Sequence, residues 1–102
     1  MRNIEFNVSE QTLTKKPSSP IVRGSKGYLR ATFHFSNDWK GFKRIALFYD
    51  ERGKENAVFI DSADSCPVPD EVTDGNNFRL SVTGILGNRR ITTEVYIIRR
   101  FL

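Results

Sequence analysis

Tyr28-Leu29-Arg30-Ala31-Thr32-Phe33-His34-Phe35 is the stretch that decides the fold. Leu29, Ala31, Phe33 and Phe35 fall on one side of an extended chain, and Arg30, Thr32 and His34 fall on the other. A strict period of two marks a strand with one buried face. The turn Ser36-Asn-Asp-Trp-Lys-Gly-Phe42 follows it, and the apolar run Ile45 to Tyr49 leads away.

The same design recurs on both sides. In Arg2-Asn-Ile-Glu-Phe-Asn-Val8, the residues Ile4, Phe6 and Val8 point inward, and Gln11–Thr14 reads as a short partner strand. Lys15 to Pro20 is a loop, because two prolines remove ladder donors. Ile21 and Val22 read as a short edge strand before a turn with Gly24 and Gly27. Lys43–Tyr49 and Asn56–Asp61 flank a polar loop with a glycine, which makes a hairpin. The run Ile45–Tyr49 does not alternate, which places it in the middle of the sandwich. Pro67 and Pro69 keep Ser65–Pro69 off any central position, and Pro69-Asp-Glu-Val72 forms one helical turn. Asp74-Gly-Asn-Asn77 is a turn, Phe78–Val82 alternates, and Gly84 reads as a bend. Ile91–Ile98 reads as one continuous strand with Ile91, Thr93, Val95 and Ile97 on one face.

These elements predict an all-β chain: one antiparallel β-sandwich domain over residues 1–102, with about seven short strands and at most one helical turn. Its expected core is Phe6, Leu29, Phe33, Phe35, Leu47, Phe59, Leu80, Val82, Val95 and Ile97. Eight Phe help to fill it, since each buried ring removes roughly 150–250 Å² from water.

Composition narrows the chemistry. No apolar run approaches the roughly 18 residues of a membrane span, and none is flanked like a secretory signal. The expectation is therefore no membrane partner and residence in a cytoplasm. Net charge is +4, yet the segment Asp50–Asp74 holds eight acids against two bases, which leaves +10 on the remainder. Such a division steers an oppositely charged partner or orders copies head to tail; it also serves plain solubility.

Catalytic residues are not expected. His34 is the one histidine and sits mid-strand without a nucleophile motif, so it reads as a surface imidazole. Cys66 is a lone cysteine and reads as a small buried apolar residue. Asp61, Asp64, Asp70 and Glu71 lack calcium-loop spacing, so neither a metal nor another cofactor is expected. Binding candidates are Trp39 and Lys40 in the turn, Arg89 and Arg90 in a second turn, and Arg99 and Arg100 near the end. Arginines offer bidentate contacts to anions. Trp39 is either a plug over one end of the sandwich, the favoured reading, or a partner hot spot. Tyr28, Tyr49 and Tyr96 are the other candidate exposed platforms.

The order of features resembles a known group. Asn37-Asp-Trp-Lys-Gly-Phe-Lys43, Cys66-Pro-Val-Pro-Asp-Glu-Val72, Phe78-Arg-Leu-Ser-Val-Thr-Gly84 and Ile91-Thr-Thr93 resemble small β domains encoded among tail and baseplate genes of phages and prophages of Gram-positive hosts. The likeness runs from about Ile4 to Ile98. It implies a non-enzymatic structural module that binds a virion protein. In such relatives the domain often heads a longer fibre-like protein, whereas this chain stops at Leu102. The freestanding format also resembles phage anti-defence proteins, which implies an inhibitor of a host CRISPR-Cas nuclease–guide complex, with nucleic-acid contact. A sponge for a nucleotide immune signal is a weaker implication. Self-association fits either role, in virion or host cytoplasm.

Overall fold

The computed structural model describes residues 2–19, 21–22 and 26–99. The chain is mostly β, arranged in two sheets. The first sheet has the order β2-β1-β3-β6, built from β1 (Arg2–Ser9), β2 (Thr12–Lys15), β3 (Leu29–Phe35) and β6 (Ser65–Pro67). The second has the order β5-β4-β7-β8, built from β4 (Lys43–Tyr49), β5 (Glu55–Phe59), β7 (Asn77–Leu86) and β8 (Arg89–Thr92). A further strand, β9 (Tyr96–Arg99), pairs with the other half of the β7 edge that carries β8.

Alternation dictates the first sheet as predicted. Ile4, Phe6 and Val8 of β1 and Leu29, Ala31 and Phe33 of β3 are buried, and Phe6 stacks on Phe33 with centroids 5.3 Å apart. Buried residues of both sheets form one apolar cluster, and the Phe6 ring meets Tyr96 of β9 edge-on at 6.5 Å. Pro67 sits in the edge strand β6, where its missing donor costs no ladder bond.

Several expectations need correction. The strands are not all antiparallel: β1 and β3 run parallel, with Phe6 opposite Phe33. The β1–β2 hairpin occupies one side of β1 and β3 the other, so the connection from β2 to β3 is a crossover. Parallel neighbours need such a crossover. Ile21 and Val22 belong to no strand, although Ile21 is buried. Among the described residues there are two short 3-10 turns, at Asn37–Trp39 and Asp70–Thr73, against an expectation of at most one helical turn.

The final segment is two strands rather than one, and the interruption changes which residues face inward. Thr93 is buried; its N–H donates to the Val82 carbonyl, and its Oγ1 accepts from the Val82 N–H, both at 2.9 Å. This local break spends an extra residue, so odd positions face inward before it and even positions after it. Ile98 is buried, while Val95 and Ile97 are 53% and 45% exposed. A one-residue slip moves every later side chain to the opposite face. Leu47 and Phe59 were also expected in the core and are not there. On β4 it is Ala46 and Phe48 that are buried, opposite Val82 and Leu80. Phe59 lies on the other face of β5 and is 73% exposed. Phe35 is half-buried but packs against the core.

Gly84 is not a bend. It lies within β7, and a Cβ there would come within 2.8 Å of the Trp39 ring. The strand carries glycine because the indole rests directly on its backbone.

Candidate binding surface

The outer face of the five-stranded sheet follows from registers alone. One cross-strand row runs Phe59, Ile45, Thr83 and Thr92. The next is Ala57, Leu47 and Ser81. A third is Glu55, Tyr49, Arg79 and Ile97. A fourth is Lys43, Ile85 and Arg90. An apolar stripe therefore crosses the centre of the sheet, with Phe59 at one side and Ile97 beside Val95 at the other. An open groove of about 410 Å³ lies at the Ile97 side, lined by Tyr49, Gly53, Arg79, Val95 and Ile97.

Charges border this stripe asymmetrically. Lys43, Arg79, Arg90 and Arg99 are exposed and make no salt bridge among the described residues. Among the described residues, the one acid in these four rows is Glu55, whose Oε1 accepts from the Tyr49 hydroxyl at 3.3 Å. The surface is thus an apolar centre with free cations around it.

The residues singled out by sequence are distributed differently. Trp39 is 0% exposed and cannot present itself to a partner. Its ring packs on Phe35 at 5.3 Å and Phe42 at 6.4 Å, and its indole N–H donates to the Glu10 carbonyl at 2.8 Å. It is the plug, and as an interface residue it is corrected here. Arg44 closes the same corner: it donates to the Trp39 carbonyl, pairs with Asp64 and lies 4.2 Å over the Phe35 ring. Lys40 is exposed just after the plug.

Arg90 and Arg99 share the outer face, but they oppose Ile85 and Asn77 respectively. At about 3.3 Å per residue along β7, that separates them by roughly 26 Å. Arg89 lies beside Arg90 at the start of β8. The basic candidates therefore do not form one patch, and Arg100 lies outside the described residues. Tyr28 is 49% exposed, while Tyr49 and Tyr96 are half-buried.

Cys66 is buried among apolar neighbours, which pushes its thiol up to about 12; the nearby Arg30 charge only partly opposes this. His34 stands on the outer face of the other sheet, with Nε2 2.8 Å from Glu5 Oε1. That hydrogen bond, helped by Lys16, holds the Glu5 carboxyl below its ordinary value. Among the described residues no group of three or more His, Cys, Asp or Glu side chains could hold a metal ion, and no helix is long and apolar enough to cross a membrane.

Sequence reasoning overlooked Arg79, Lys43, Phe59 and the Val95–Ile97 pair as surface features. One signal for the face was present: Ile45-Ala-Leu-Phe-Tyr49 lacks alternation because both of its sides are apolar, only one of which is core. No family model matches this chain, and no curated protein or solved structure matches it either.

Proposed function

We propose that the chain is a non-enzymatic binding module of phage or prophage type, a two-sheet sandwich that binds through the outer face of its five-stranded sheet. The observation that carries this reading is the apolar stripe that runs from exposed Phe59 through half-buried Ile45, Leu47 and Tyr49 to exposed Ile97 and Val95. Exposed residues of this kind gathered on one face mark an interaction surface, whereas scattered single ones do not. The resemblance to tail- and baseplate-encoded domains gives the first assignment, a small structural component that docks on another virion protein.

The free cations around the stripe favour a second assignment, an inhibitor of a CRISPR-Cas nuclease–guide complex, because such effectors present guide and target phosphates. Mass spectrometry of purified particles from cells encoding the chain separates the two. Its presence in fixed proportion to tail proteins supports the virion role. Its absence from particles, with loss of target cleavage when the chain is added to a nuclease–guide complex, moves the assignment to the inhibitor. Neither result would reject the phage-type reading. In whichever assay responds, Phe59→Asp with Ile97→Asp is expected to remove the effect while the protein stays folded.

A further inference from the structure

We infer that the occupant of the outer face is an acidic protein segment, one that lays an apolar side chain into the groove beside Arg79 and a carboxylate onto its guanidinium. This rests on the reading above, that this face is the binding surface, and adds the chemistry of the partner.

The argument is one of charge complementarity around an apolar centre. Arg79 stands between Tyr49 on β4 and Ile97 on β9, in one cross-strand row. Val95 and Ile97 give the groove apolar walls. A guanidinium in such surroundings is weakly screened once water is displaced, and it accepts a carboxylate through two parallel hydrogen bonds. Lys43, Arg90 and Arg99 surround the stripe without acidic partners among the described residues. Among the described residues of the four rows, Glu55 is the one opposing charge, and Tyr49 already holds it.

Two other occupants fit less well. A second copy packed face to face would bring both sets of four cations together against two Glu55 carboxylates, and like charges across an interface disfavour association. A single-stranded nucleic acid uses aromatic platforms for successive bases. Here Phe59 and Tyr49 are the aromatics, and the groove beside Arg79 is walled by aliphatic Val95 and Ile97, which suit a protein side chain.

The test uses three probes on the whole chain: a peptide alternating Asp with Leu, its Lys–Leu counterpart, and oligodeoxythymidylate. Backbone amide shifts locate each site, and titrations give relative affinities. The Asp–Leu peptide is expected to perturb Leu47, Tyr49, Arg79 and Ile97, and to bind on the order of tenfold more tightly than the Lys–Leu peptide. Arg79→Glu should reverse that order while leaving the melting temperature unchanged, which a purely structural role for Arg79 would not do. Equal binding of both peptides at this face would overturn the acidic partner but keep the face. Tighter binding of oligodeoxythymidylate there would replace the protein segment by nucleic acid. Concentration-dependent dimerisation that blocks the Asp–Leu peptide would put a second copy in its place. Shifts confined to the Glu5–His34 face would overturn both the partner and the binding surface.

Discussion

The two sheets bury similar inner faces but present opposite outer ones. Outside β1, β2 and β3 stand Asn3, Glu5, Asn7, Thr14, Arg30, Thr32 and His34. The cations there are engaged, Arg30 with Asp61 and Lys16 with Glu5, and the His34 ring hydrogen-bonds to Glu5. Outside β4, β5, β7 and β9 stand Ile45, Leu47, Tyr49, Phe59 and Ile97, among cations without salt bridges. A polar face with paired charges is already at rest in water. An apolar face with free charges is not, and this difference is what the proposed binding side rests on.

The largest effect expected from this comparison sets one phenylalanine against another. Phe33→Ala removes a ring stacked on Phe6 and should cost about 3–5 kcal/mol. Phe59→Ala, on the exposed face, should stay within about 0.5 kcal/mol of the wild type. Chemical denaturation of both variants measures this, and comparable losses would mean that the outer face is core.

Gly84→Ala comes next. Its methyl would press on the Trp39 ring, and overpacking of that kind costs about 1–3 kcal/mol. A neutral result in the same denaturation assay would show that the indole does not rest on β7.

A smaller effect sharpens the solvent side. Glu5 titrates below its ordinary value in the folded chain, so the unfolded chain takes up a proton first as pH falls. The stabilisation is present at neutral pH and is lost as pH drops through the lowered value. Between about pH 5 and about pH 3, the wild type should lose slightly more melting temperature than Glu5→Gln, because exposed pairs contribute little. An equal loss in both proteins would remove the His34–Glu5 contact from consideration.

The smallest effects concern chemistry rather than stability. His34→Ala and Cys66→Ser should retain full biological activity while folded; loss of activity in folded His34→Ala would reopen an enzymatic reading. Reversal of Arg89 and Arg90 to Glu should leave the melting temperature unchanged, since both project from the start of β8 into solvent. Its effect on partner binding should be weaker than that of Arg79→Glu.

The sequence by itself determined the strands and the inward set of the first sheet, because Ile4 to Val8 and Leu29 to Phe33 alternate without interruption, and period two leaves a single choice of face. It also foretold that the cysteine is buried and that the proline-bearing strand lies at an edge. Only the tertiary structure decided the parallel pairing of β1 with β3, since alternation is blind to the direction of a neighbour. Tertiary structure likewise decided that Trp39 is interior and that Ile98, not Ile97, faces the core, through one threonine hydroxyl bonded into the β7 ladder. The candidate surface fell on that side of the division. Where both sides of a strand are apolar, as in Ile45–Tyr49, local pattern cannot say which side meets the core, and packing against the other sheet makes that choice.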